Sequence, residues 1–77
     1  MNTLEKIQEL IAKQLNIPVE SVTADKEIVK DLGADSLDIV EMLMNLEDEY
    51  GISVPEEEAV NIITVADIVK IIEEKKN

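Results

Sequence analysis

The 77-residue sequence contains no cysteine, histidine, phenylalanine or tryptophan, and its one aromatic residue is Tyr50. Without cysteine no disulfide can form, so packing has to stabilise the fold. Without histidine, a serine has no customary base beside it, which argues against a serine hydrolase. Leu, Ile, Val and Met must fill the interior. With 45% hydrophobic residues, the chain can build one small core, and we expect a single domain over residues 1–77.

Long apolar runs are also missing, because no stretch approaches the roughly 20 residues that a membrane-spanning helix needs. Residues 1–5 show no basic stretch followed by a hydrophobic one, so the sequence predicts no signal peptide. We therefore expect no membrane insertion and a cytoplasmic location.

Positive charge is scarce and unevenly placed in this chain of net charge −11. Between residues 31 and 69 there are eleven acidic residues and no Lys or Arg, whereas the remaining seven acids are balanced by seven lysines. A segment of this kind is repelled by nucleic acid and attracted to basic protein surfaces. A merely solvating acidic face is the plainer interpretation. The pattern predicts protein partners and no nucleic acid.

Hydrophobic periodicity predicts four helices, at about residues 3–15, 36–50, 56–61 and 65–75. Asn2 with Glu5, and Thr64 with Asp67, have the spacing of capping boxes, and Gly51 suits a helix end. The expected fold class is all-α, a small four-helix bundle of three longer helices and a short third helix. A long loop joins the first two helices, and its apolar residues predict that it lies over the core: Ile17, Val22, Ile28, Val29 and Leu32.

The second predicted helix has two apolar stripes at helical spacing. The core stripe consists of Ile39, Met42, Leu43, Leu46 and Tyr50. Leu37, Val40 and Met44 fall on another side, flanked by Glu41, Glu47 and Asp48. The second stripe is compatible with packing against the long loop or with a partner surface, and the acidic rim favours the partner surface.

Ser36 lies at the start of this helix, in the run Asp31-Leu32-Gly33-Ala34-Asp35-Ser36-Leu37-Asp38. Composition alone favours Ser36, or Asp35 before it, as a helix cap. The Gly-x-Ser-x-Gly elbow of hydrolases is absent, and no EF-hand calcium loop fits the acids that follow. We therefore predict no catalytic residue and no metal site.

The run from residue 31 to residue 38 resembles the attachment motif of discrete acyl carrier proteins of fatty-acid synthesis. The resemblance continues through the first-helix pattern, Glu47-Asp48-Glu49-Tyr50, Val54-Pro55-Glu56-Glu57-Glu58-Ala59 and Thr64-Val65. It implies a carrier and not an enzyme, with 4′-phosphopantetheine on Ser36 and acyl groups held as thioesters. A separate holo-carrier-protein synthase would transfer the arm from coenzyme A.

The resemblance also implies the remaining site residues and partners. Docking residues for enzymes with basic patches would be Asp35, Leu37, Asp38, Val40, Glu41, Met44, Glu47 and Asp48. The tethered acyl chain would be sheltered among Leu46, Val54, Ala59, Ile62 and Ile68. We expect a monomer. A carrier of polyketide, D-alanyl or aminoacyl groups remains an alternative, as does an acidic helical adaptor without a prosthetic group; Ala34-Asp35 favours fatty-acid synthesis.

Overall fold

The computed structural model describes residues 2–75, and four α-helices form most of this range. They are α1 (Thr3–Leu15), α2 (Ser36–Tyr50), α3 (Glu56–Ala59) and α4 (Val65–Lys75). Residues 2–75 contain no strand, only an isolated bridge between Glu27 and Thr64. The predicted all-α four-helix bundle is therefore confirmed. Two details differ from the prediction: α3 ends at Ala59, two residues early, and the long loop contains a 3-10 turn at Val19–Ser21.

The helix ends follow from local sequence. At the start of α1, the Glu5 N–H donates to Asn2 Oδ1 at 2.9 Å, and the Asn2 N–H donates to Glu5 Oε1 at 3.1 Å. This capping box satisfies backbone donors that the helix itself leaves free. Asn16 after α1 and Gly51 after α2 adopt left-handed backbone conformations, with φ of 58° and 65°. These caps confirm the predicted ends of both helices.

One aliphatic core holds the three longer helices together. Helix α1 packs against α4 and α2, and each of the three contributes side chains that are nearly inaccessible to water. The buried hydrophobic residues of these helices are Ile7, Ile11, Ala12, Met42, Leu43, Leu46, Val65, Ile68 and Ile72. The predicted core stripe of α2 lies in or against this cluster, with Ile39 and Tyr50 partly buried. Burial of these aliphatic groups is the main force that stabilises the bundle.

The long loop before α2 is bound to the helices rather than free in solvent. Gln8 Nε2 donates to the Val22 carbonyl oxygen at 2.7 Å, and the Val65 N–H donates to the Lys26 carbonyl oxygen at 3.0 Å. Val22 is fully buried. The prediction that the long loop lies over the core is thus confirmed. Val29 is the exception, because its side chain is exposed.

Candidate functional site

The start of α2 is capped by Asp35 and not by Ser36. The Asp38 N–H donates to Asp35 Oδ1 at 2.9 Å, and the Asp35 N–H donates to Asp38 Oδ2 at 3.1 Å. Ser36 is the first helical residue and is exposed. Within residues 2–75 its hydroxyl takes part in no hydrogen bond. Because Asp35 satisfies the helix end, the serine hydroxyl remains available for chemistry.

A compact turn fixes the backbone just before Ser36. Gly33 has a φ of 76°, a left-handed conformation that glycine adopts without strain. The next residue, Ala34, is buried, and its N–H donates to the Ile28 carbonyl oxygen at 3.1 Å. The serine is therefore held two residues beyond a buried anchor, although its own side chain points to solvent.

The local electrostatics suit a group joined through a phosphate. The N-terminus of α2 carries the positive end of the helix dipole, which favours a phosphate on a residue of the first turn. A side-chain atom built at Gly33, three residues before Ser36, would meet nothing within 4 Å. The exposed, unengaged Ser36 oxygen fits an ester linkage. With no histidine or cysteine in the chain, the hydroxyl is suited to accept a group from another enzyme rather than to attack a substrate.

The second apolar stripe of α2 is exposed and does not pack against the long loop, which was one of the two arrangements that the spacing left open. Leu37, Val40 and Met44 are 66%, 51% and 58% exposed. The carboxylates of Asp35, Glu41 and Asp48 lie on exposed residues along the same helix. An apolar row of this exposure, rimmed by acids, is a candidate docking surface for a protein with a basic patch.

Three of the predicted docking acids are already engaged in the fold, the first being Asp35, whose carboxylate accepts the Asp38 N–H. Asp38 is half-buried, and its carboxylate accepts the Asp35 N–H. Glu47 is half-buried as well, and its Oε2 accepts the N–H of Val54 at 2.7 Å. Sequence reasoning missed this contact, since it crosses the end of α2 over seven residues and follows no helical spacing.

The five predicted chain-binding residues come together in the structure. Leu46, Val54, Ile62 and Ile68 belong to the buried core, and Ala59 packs against it. Water has little access to this part of the core, since Leu46 and Ile68 are each 1% exposed. A ligand that enters here has to displace packed side chains.

A separate groove of about 700 Å³ lies between α1 and α2. Of the predicted chain-binding residues, only Leu46 lines this groove. Lys6 Nζ stands 3.8 Å from Glu49 Oε2 and 5.8 Å from the centre of the Tyr50 ring. Burial, and then the charges of Glu49 and Glu73, raise the pKa of the Tyr50 phenol. Sequence reasoning assigned no groove here, because its lining residues alternate between charged and apolar.

A small helical bundle that presents an unengaged serine hydroxyl at a helix start is compatible with a small carrier domain. The sequence matches the family described as phosphopantetheine attachment site over residues 5–72. It is 53% identical over 76 residues to an acyl carrier protein of Helicobacter pylori, covering 99% of this chain and 97% of that protein. An acyl carrier protein of Wolinella succinogenes is 46% identical, covering 99% of this chain and 100% of that protein.

Comparison of the fold with solved structures leads to the same family. A solved acyl carrier protein structure from Mycobacterium tuberculosis superposes with a TM-score of 0.90 at 33% identity, covering 95% of this chain and 97% of that one. The chain therefore belongs to the acyl carrier protein family. It is a carrier and not an enzyme, and its prosthetic group is a covalently attached 4′-phosphopantetheine.

The α-helices within residues 2–75 are 15 residues long or shorter. No helix in this part of the chain is long and apolar enough to cross a membrane. In the same range, no three His, Cys, Asp or Glu side chains are grouped so that they could hold a metal ion.

Proposed function

We propose that Ser36 carries the 4′-phosphopantetheine arm and that the protein shuttles acyl thioesters between enzymes of fatty-acid biosynthesis. The observation that carries this proposal is the exposed Ser36 hydroxyl, left unengaged because Asp35 caps α2. The chain has two other serines, Ser21 and Ser53. Ser21 ends the 3-10 turn, and Ser53 lies between α2 and α3. Neither one begins an α-helix, so neither has the helix N-terminus that favours a phosphate.

The chain's own residues hold and orient the arm, while the bound group supplies a thiol that carries the acyl chain. The first turn of α2 stabilises the phosphodiester through its free backbone N–H groups and its dipole. Gly33 and the buried Ala34 fix the position of Ser36 relative to the bundle. A separate holo-carrier-protein synthase provides the base and metal for transfer from coenzyme A, and the acidic surface around Ser36 favours its approach.

Partner enzymes dock on the exposed face of α2. Leu37, Val40 and Met44 supply the apolar contact, and Asp35, Glu41 and Asp48 attract Lys and Arg of the partner. Long-range attraction of this kind accelerates association, whereas the buried apolar contact governs dissociation. Asp38 and Glu47 complete the acidic rim, although each also holds a backbone N–H group of the protein itself.

The acyl chain is sheltered in the core around Leu46, Val54, Ala59, Ile62 and Ile68. These side chains lie in or against one aliphatic cluster, which is a favourable environment for a hydrocarbon chain. Chain entry has to spread them apart, because they are packed in the structure. A monomer, a single domain over residues 1–77 and a cytoplasmic location stay predictions of the same proposal.

The choice of pathway can be tested by loading the holo-protein. A malonyl transferase of fatty-acid synthesis should load it at least about tenfold faster than a D-alanyl ligase or an aminoacyl-adenylating enzyme, compared as kcat/KM. Faster D-alanyl or aminoacyl loading would show the alternative carrier role. An adaptor without a prosthetic group would accept none of these groups.

A further inference from the structure

Glu47 organises the turn that connects α2 to α3. Its main-chain carbonyl accepts the N–H of Gly51 and, at 3.2 Å, the N–H of Ile52. Its side-chain Oε2 accepts the N–H of Val54 at 2.7 Å. One residue thus accepts three of the four backbone N–H groups from Gly51 to Val54. The carboxylate bond is short and involves a charged acceptor, so it is the strongest of the three.

The Val54 bond lies at the boundary of the core. Val54 is 9% exposed and belongs to the buried cluster that also contains Leu46, Ile62 and Ile68. Pro55 follows it as the N-cap residue of α3 and makes no side-chain cap hydrogen bond. Within residues 2–75 the Val54 N–H bonds only to Glu47, so this bond restrains the position of Val54 at the edge of the core.

The same carboxylate also faces the docking surface. Glu47 lies three residues after Met44 and seven after Val40, which places it on the exposed apolar side of α2. It is half-buried, so a cation of a docked protein can reach it. A guanidinium or ammonium group binds a carboxylate more strongly than a neutral backbone N–H does. The Val54 N–H occupies Oε2 only, so a guanidinium that binds both carboxylate oxygens side by side competes with Val54 for that oxygen.

We propose that Glu47 couples docking to access to the core. In the free protein its carboxylate holds Val54 in place; a basic side chain of a docked protein takes the carboxylate, frees the Val54 N–H and loosens residues 51–55. This proposal rests on the proposed docking surface and chain-bearing core. Glu47 acts on the chain through Val54, so it is a positioning residue.

Amide hydrogen exchange in the apo-protein tests the first half. The Val54 amide should be protected in the wild type and in Glu47→Gln, whose amide oxygen still accepts the bond. In Glu47→Ala its exchange should be about tenfold faster, while the Ile11 amide in α1 stays protected as a reference for the intact fold. Asp48→Ala is the matched control. Asp48 is exposed, and its carboxylate makes no hydrogen bond within residues 2–75. Unchanged Val54 exchange in Glu47→Ala would overturn the proposal.

Adding the carrier-protein synthase without coenzyme A tests the second half. Saturating synthase should accelerate Val54 exchange about threefold or more in the wild type, and should not do so in Glu47→Gln, whose neutral side chain attracts no cation. If Glu47 had only a structural role, adding the synthase would not change the exchange rate of the Val54 amide. That result would also overturn the proposal. The Ser36 assignment is tested separately by intact mass, where a full mass gain in Ser36→Ala would contradict it. That outcome would leave Val54 exchange in the free protein unaffected.

Discussion

The backbone N–H of Ile28 donates to the carbonyl oxygen of Ile63 at 2.9 Å, so the long loop is tied to the segment before α4. The Ile28 side chain is 1% exposed and packs in the same core as the helices. The loop that leads into Ser36 is thus a structural part of the bundle, and its loss should affect the whole fold.

Replacing Ile28 with alanine should lower the free energy of unfolding by about 2–5 kcal/mol, because a buried isoleucine leaves a cavity. That loss is a large share of the stability of a small domain. Urea titrations followed by circular dichroism measure it. Val29→Ala is the matched control, since Val29 is 57% exposed, and it should change stability by less than about 0.5 kcal/mol. Equal losses in the two variants would contradict a buried loop anchor.

Asp67 stabilises the start of α4, and its effect should depend on pH. Backbone N–H groups of Thr64 and Ile63 donate to its carboxylate, each at 2.9 Å, and they lower its pKa. A lowered pKa in the folded state means that the carboxylate stabilises the fold above its unfolded pKa, near 4. This stabilisation disappears as the pH falls through the folded-state value. Asp67→Ala should therefore cost about 1 kcal/mol at pH 7 and less at pH 3.

Urea titrations at both pH values check the Asp67 prediction. Asp48→Ala removes the same charge from an exposed position, and it should leave stability unchanged or raise it, because it reduces repulsion in the acidic segment. A cost for Asp67→Ala that is equal at pH 7 and pH 3 would mean that the cap does not depend on the ionised carboxylate.

Glu41→Lys should slow association with a basic partner such as the carrier-protein synthase by roughly threefold or more, because it reverses a charge on the docking face. Stopped-flow kinetics at low and high salt measure the effect, and raised salt should also slow the wild type. Glu20→Lys makes the same charge change in the 3-10 turn and should have the smaller effect. Equal slowing in the two variants would point to net charge alone rather than a docking face.

Met44→Ala should act mainly on dissociation, since Met44 belongs to the apolar contact. We expect the dissociation rate of the same partner to rise several-fold, with the association rate nearly unchanged. Ile63→Ala is the control, because Ile63 is 56% exposed, much like Met44 at 58%, but lies outside α2. A larger effect at Ile63 would move the docking surface away from α2.

Local sequence patterns were enough to predict most of the helix ends. Asn2 with Glu5, and Thr64 with Asp67, form the expected caps, because capping depends on residues three apart in the chain. Contacts between distant segments were not predictable in this way. The bonds from Ile28 to Ile63 and from Val54 to Glu47 depend on how the segments pack, and no periodicity encodes them.

For the functional site as well, some features were predictable from local sequence and others were not. The residues around Ser36 carried the family resemblance, but the sequence left open whether Ser36 or Asp35 caps α2, since both residue types favour that position. The structure assigns the cap to Asp35. Val29 was wrongly expected to anchor the loop, because the irregular spacing of its apolar residues does not show which of two neighbours is buried.

The intact mass of the protein after incubation with a carrier-protein synthase and coenzyme A tests the central claim most directly. The wild type and Ser21→Ala should each gain about 340 Da, the mass of one phosphopantetheine group. Ser36→Ala should gain nothing and keep the helicity of the wild type by circular dichroism, because Asp35 and not Ser36 caps α2. A full mass gain in Ser36→Ala would contradict the assignment of Ser36 as the attachment residue.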